Sequence, residues 1–195
     1  MPTLKDATHE INCKIVYYGP GFCGKTTNLQ YIHSQLAPEK RGEMVSMATQ
    51  SDRTLFFDFL PLDLEMVHGW HIRLCLYTVP GQIEYNASRK VILNGVDAVV
   101  FVADSDPFRS TDNIESFTNM AENLAQHKIK IEEIPLVLQY NKRDLVGAMP
   151  IDRMESELNS LAVPSYESVA SEGLGVFATL RGISKILLNN LSNLV

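Results

Sequence analysis

Residues 19–26 read GPGFCGKT, which satisfies the pattern G-x-x-x-x-G-K-[ST]. These residue types suit the wrapping of a polyphosphate. Gly21 and Gly24 let the backbone approach phosphate closely with its N–H groups turned inward. Lys25 supplies a point charge to the outer phosphates, and the Thr26 hydroxyl is a hard oxygen ligand suited to Mg²⁺. Gly19, Gly21, Phe22, Cys23, Gly24, Lys25, Thr26 and Thr27 form the expected phosphate-binding set, the Phe22 and Cys23 side chains shaping the loop. A second stretch, NKRD at 141–144, carries base chemistry. The Asp144 carboxylate can accept from both N1–H and the exocyclic amine of guanine, a donor pair that adenine lacks. Asn141 is placed to tie this loop to the phosphate loop, and the Lys142 stem to pack over the base. A third stretch, LYTVPGQIEY at 76–85, brings Gly81 and Gln82 after a strand, with Thr78 where comparable phosphate-sensing loops usually carry aspartate.

These loops need a scaffold that gathers them at one edge. Apolar runs at 11–19, 55–63, 70–79, 97–104 and 134–141 read as strands. The last two are nearly continuous, as expected for strands buried on both faces. RLCLYT alternates instead, and the short 65–69 connection predicts an antiparallel hairpin between the second and third strands. Helical spacing appears at 25–36, 85–93, 112–127, 152–161 and 176–191. In the third of these Ile114, Phe117, Met120 and Leu124 form the apolar stripe; in the last, Val176, Leu180, Ile183 and Leu187 do. Alternating strands and helices predict an α/β three-layer fold with a mostly parallel sheet and helices on both faces. NKRD then falls at the end of the fifth strand, where open α/β sheets bind nucleotides. The 195 residues are read as one domain spanning 1–195.

Composition narrows the function. The net charge of −6 argues against broad attraction to nucleic acid or anionic membrane. Three cysteines without a CxxC spacing read as reduced thiols of a cytoplasmic protein, and His68 and His71 flanking Trp70 carry no metal-ligand pattern. No apolar run approaches the ~18 residues of a membrane span. The chain shows neither a prenylation box nor a myristoylation glycine, so no lipid anchor is expected. Arg89 and Lys90 read as solubility charges, and Tyr17, Phe56, Phe57 and Phe59 as packing residues.

The phosphate loop, P-G-Q and NKRD, in this order, resemble a Ras-superfamily small GTPase. More closely, KIVYYGPG, RTLFFDFLP, LYTVPGQ, YNASRK and VFVADS resemble the MglA family of bacterial polarity GTPases, over nearly the whole chain. The resemblance implies a P-loop small-GTPase fold, GTP and GDP as ligands, Mg²⁺, and GTP hydrolysis. It makes Thr54 the switch threonine over Mg²⁺, Arg53 an arginine finger supplied in cis, and Gln82 the residue that orients the attacking water. It gives Gly81 a γ-phosphate contact. Thr78 would take over, through a water, the Mg²⁺ hold of the missing aspartate. The guanine-contacting S-A-K of Ras relatives is VAS here, leaving Ala170 and Ser171 for guanine through the backbone. Phe22 also departs from the smaller residue expected at its position.

The resemblance further implies an MglB-like Roadblock/LC7-domain activator, itself a homodimer, acting by arranging Arg53 and Gln82. Downstream polarity or motility effectors and concentration at a cell pole follow from the same family. The γ-phosphate would order segments 40–60 and 78–93. LFFDFLPLD, read as apolar on both faces and so weak in register, is the candidate for a strand that shifts with nucleotide state. A non-hydrolysing GTP-binding scaffold is the alternative that Thr78 and VAS leave open. A small-molecule kinase or ATPase on the same loop is opposed by NKRD. On the residues alone, each has a less favoured rival reading, Arg53 as a solvated charge beside Asp52 and Gln82 as a loop amide.

Overall fold

The computed structural model describes residues 3–5, 9–47, 57–64, 66 and 69–192. Arg53 and Thr54, and with them the in-cis finger and the switch threonine, lie outside the described residues. So do Phe56 and His68.

The strands are β1 (Thr3–Lys5), β2 (Glu10–Tyr18), β3 (Val45–Met47), β4 (Phe57–Asp63), β5 (His71–Thr78), β6 (Ala98–Asp104), β7 (Leu136–Asn141) and β8 (Ser165–Glu167). They form one sheet in the order β3-β4-β5-β2-β6-β7-β8, with β1 antiparallel on β2. The run from β5 through β8 is parallel; β4 pairs antiparallel with β5, as the alternating pattern predicted. The three-residue strands β1, β3 and β8 were not anticipated, because three residues are too few to display a period. The helices are α1 (Lys25–Gln35), α2 (Asn86–Leu93), α3 (Ser110–Gln126), α4 (Ile151–Leu158) and α5 (Val176–Ser192).

The period of two along β2 splits the core. Cys13, Ile15 and Tyr17 face the layer containing α1 and α5, with Leu29, Ile32, Val176, Leu180 and Ile183. Val16 and Tyr18 face the opposite layer with Leu93, Met120, Leu124 and Met154 of α2, α3 and α4. This is the three-layer α/β arrangement, and it sends the C-terminal ends of β2, β5, β6 and β7 to one edge.

Two expectations are corrected. β4 is not apolar on both faces: Asp58, Leu60 and Leu62 are buried while Phe57, Phe59, Pro61 and Asp63 are half-exposed. A buried carboxylate sets its register, and Phe59 packs on Tyr77 across the hairpin at 4.9 Å. The α3 stripe is likewise more polar than its spacing implied. Met120 and Leu124 are buried, but so are Asn113, Ser116 and Asn123, whereas Ile114 is exposed.

All three thiols are free, and burial raises each pKa, that of Cys13 to about 12. The thiolate is the reactive form. A thiol reagent at pH 8 should therefore leave the folded chain nearly untouched and titrate all three cysteines in denaturant; rapid labelling of the native protein would contradict this.

Candidate nucleotide site

Strand β2 ends at Tyr18 and α1 begins at Lys25, so the phosphate loop bridges a strand and a helix N-terminus. Its path depends on two glycines. Gly19 has φ +146°, and a Cβ there would run into the Val102 carbonyl; Gly24 has φ +102°, and a Cβ there would strike Asn141 Nδ2. Gly24→Ala should cost about 1–3 kcal/mol from the backbone conformation alone, and displace the amide of Asn141. Chemical denaturation together with GDP affinity checks this, both being expected to fall. Phe22 also adopts positive φ, 63°, with its ring 80% exposed, so it shapes the loop without joining the core.

The Lys25 ammonium is buried and donates to the carbonyl oxygens of Gly19 at 2.9 Å and Pro20 at 2.6 Å. Burial lowers its pKa, the neighbouring Cys23 sulfur opposes this, and the Arg89 charge adds to the lowering. A cation held by two carbonyls and the Cys23 sulfur, with no carboxylate bonded to it, in a dry loop is poised for an anion.

Asn141 ties the base loop to the phosphate loop, as predicted. Its Nδ2 donates to the Cys23 carbonyl at 2.8 Å; its Oδ1 accepts from Ser168 Oγ and from the Ala170 N–H, both at 2.9 Å. The Ala170 N–H, expected to be free for guanine O6, is thus engaged with Asn141, so any contact with the base would have to share it. Lys142 sits at φ +66° and pairs with the buried Asp104 at 2.6 Å, which aligns its stem along the end of β6. Asp144 and Ser171 are exposed beside them. The loops bearing NKRD and VAS therefore stand next to the phosphate loop.

Beside Thr78 of β5 lies a carboxylate that the sequence did not reveal. Asp58 on β4 is buried, and three hydroxyls converge on its carboxylate. Thr26 Oγ1 donates to Oδ2 at 2.6 Å, Thr78 Oγ1 to Oδ2 at 2.9 Å, and Ser46 Oγ to Oδ1 at 2.7 Å. The Asp58 N–H in turn donates to Thr78 Oγ1 at 2.8 Å. Thr78 is thus a positioner of a carboxylate on the adjacent strand. The only available signal was an aspartate inside the strand, among residues that are otherwise apolar up to its terminal Asp63. This cluster of hard oxygens, with one buried anion, fits Mg²⁺. Thr26 would hold the ion, Asp58 would hold its hydration waters, and the ion would supply neutralisation of phosphate charge.

Gln82 and Gly81 follow β5 into a 3-10 turn, Ile83–Tyr85, ahead of α2. Gly81 packs directly against Gly21, so the P-G-Q loop lies on the phosphate loop. Gln82, Gly81, Gly21 and Phe22 share the wall of a cavity of about 550 Å³. Arg89, read from sequence as a solubility charge, is instead 2% exposed and bonded into this loop.

No described helix is long and apolar enough to cross a membrane. Residues 3–191 match the model of the ADP-ribosylation factor family. The chain is 53% identical over 191 residues to the mutual gliding-motility protein MglA of Myxococcus xanthus (strain DK1622), covering 98% of each chain. With its phosphate loop, P-G-Q and NKRD gathered on one edge of this sheet, the chain belongs to the ADP-ribosylation factor family of Ras-superfamily small GTPases, and is MglA-like within it.

Proposed function

We propose that the chain is a GTP-hydrolysing switch, slow alone, that controls cell polarity or motility. The observation that carries hydrolysis over a binding-only scaffold is the buried Asp58 carboxylate bonded to Thr26 and Thr78. It supplies the charge that Thr78 alone lacks. Guanine is read by Asp144, with Lys142 over the base and the backbone at Ala170 and Ser171 beside it. The phosphates lie along 19–27. Gln82 orients the attacking water, and Gly81 offers its N–H to the γ-phosphate. Thr54 closes over the phosphate, and Arg53 stabilises charge on the transferring group, an effect worth roughly 10³–10⁵ in rate. Phosphoryl transfer asks the protein for positioning and charge stabilisation and little covalent chemistry.

The role in motility rests on the name of the Myxococcus relative. A Roadblock/LC7-domain homodimer of the MglB type is the proposed activator, and GTP-ordered switch segments are the surface for polarity effectors. Single-turnover GTP hydrolysis, with and without that partner, tests the reading. Turnover stimulated by the partner and lost in Arg53→Ala is expected. GTP bound tightly but left intact under both conditions would establish the scaffold alternative.

A further inference from the structure

Arg89 is nearly inaccessible, and its hydrogen bonds all go to neutral oxygens. Nε donates to the Pro80 carbonyl at 2.8 Å, Nη2 to the Gly81 carbonyl at 2.6 Å, and Nη1 to Asn119 Oδ1 at 2.8 Å. The Tyr18 ring lies 5.6 Å from the guanidinium carbon. A buried guanidinium carries a desolvation cost that only close, well-aligned acceptors offset. Three rigidly placed donors also define a plane, which a lysine cannot do.

The geometry has a directional consequence. Peptide units are planar, and none described here is cis. In a trans unit the carbonyl and the following N–H point in opposite directions. Holding the Pro80 carbonyl on Nε therefore turns the Gly81 N–H away from α2. Holding the Gly81 carbonyl on Nη2 does the same for the Gln82 N–H. Two successive peptide planes, those that aim Gly81 and launch Gln82, are set by one side chain.

That side chain is itself held by a polar lattice on α3. Asn119 Oδ1 also accepts from Tyr18 Oη at 2.6 Å, and its amide donates to Asn86 Oδ1 at 3.1 Å. Asn123 Nδ2 donates to Tyr18 Oη at 3.1 Å and Asn86 Oδ1 at 2.8 Å. Tyr18 is the residue before Gly19, so the lattice joins the root of the phosphate loop to α2 and α3. The 550 Å³ cavity opens beside Arg89, Gly81, Gln82 and Asn119, so packing does not restrain the loop on that side.

We propose that Arg89 is a positioning residue for the γ-phosphate: it clamps the Pro80–Gly81 and Gly81–Gln82 peptide planes against a Tyr18–Asn119–Asn123 lattice, presenting the Gly81 N–H and Gln82 to the reacting phosphate. This rests on the proposed GTPase reading and names a residue that reading leaves out. GDP, lacking the γ-phosphate, does not require the clamp.

The experiment measures GDP affinity, affinity for a non-hydrolysable GTP analogue, and single-turnover GTP hydrolysis in the wild type, Arg89→Ala, Arg89→Lys and Asn119→Ala. Arg89→Lys keeps charge and bulk, and so guards against misfolding of the alanine variant. GDP affinity is expected to stay within about threefold in Arg89→Lys. Its preference for the triphosphate analogue over GDP should fall about tenfold and hydrolysis 10- to 100-fold, with Asn119→Ala intermediate. Hydrolysis and analogue preference within twofold of wild type in Arg89→Lys would overturn the clamp. So would a loss of GDP affinity as large as the loss of hydrolysis, since that marks a purely structural role. A wild type that binds but does not hydrolyse GTP overturns the hydrolytic reading alone, and the analogue preference still decides the clamp.

Discussion

Asp58→Ala is expected to weaken Mg²⁺-dependent retention of guanine nucleotide by about 10- to 100-fold. The change strands the hydroxyls of Thr26, Thr78 and Ser46, which now donate to one buried carboxylate. Of the three only Thr78 is buried, Thr26 being half-buried and Ser46 exposed. A buried donor left without an acceptor costs about 1–3 kcal/mol, and 1.4 kcal/mol is a factor of ten. Thr26 Oγ1 also loses the partner that orients its lone pairs toward the metal. The measurement is release of fluorescent GDP across a Mg²⁺ titration. The midpoint should move to higher Mg²⁺ while release in chelator stays nearly the same. Thr78→Asp alone should not help, because a second carboxylate within reach of the first repels it and raises a pKa of the pair. Combining Asp58→Ala with Thr78→Asp should recover part of the loss by returning the charge from the adjacent strand. An Asp58→Ala chain with a wild-type midpoint would refute the assignment.

The second large effect is expected at Asn141. Its buried amide joins Cys23 of the phosphate loop to Ser168 and Ala170 of the loop after β8. Asn141→Ala should cost about 2–4 kcal/mol of stability, since several groups lose their partner in a dry site. It should also speed GDP dissociation about a hundredfold. With the tie gone, the base and the phosphates are held by segments no longer fixed to each other, and the advantage of binding both at once declines. Asn141→Asp separates the contributions. It keeps the acceptor for Ser168 and Ala170 but sets a carboxylate against the Cys23 carbonyl. Stability should then fall less than in the alanine variant, while dissociation accelerates nearly as much. An Asp variant that holds GDP within threefold of wild type would show that the tie to Cys23 is not what retains nucleotide.

Much of this molecule is written in local patterns. GPGFCGKT demands its loop because a positive φ at Gly19 and Gly24 and close backbone approach are short-range requirements. NKRD placed Asn141 at the end of a buried run, and the structure ties it to Cys23 as that placement implied. The five longer strands and the helices follow from period and turn chemistry, both properties of neighbouring residues.

Other features depend on which strand lies beside which. Asp58 and Thr78 are far apart in the chain and become one acid–hydroxyl unit only because β4 pairs antiparallel with β5. Arg89 looked like a surface charge because an arginine in a short helix carries no mark of its burial. Its environment is made by Pro80, Gly81 and α3 together. The asparagines of α3 were hidden for the same reason, since hydrophobic spacing cannot register a buried face whose partners are polar. By itself, then, the sequence determined the family and with it the nucleotide class, the strand and helix plan, and the loops proposed to meet phosphate and guanine. Only the tertiary structure brought a carboxylate to Thr78 and showed what holds the P-G-Q loop. Charge and hydrogen-bond complementarity across non-neighbouring elements exists only once those elements pack.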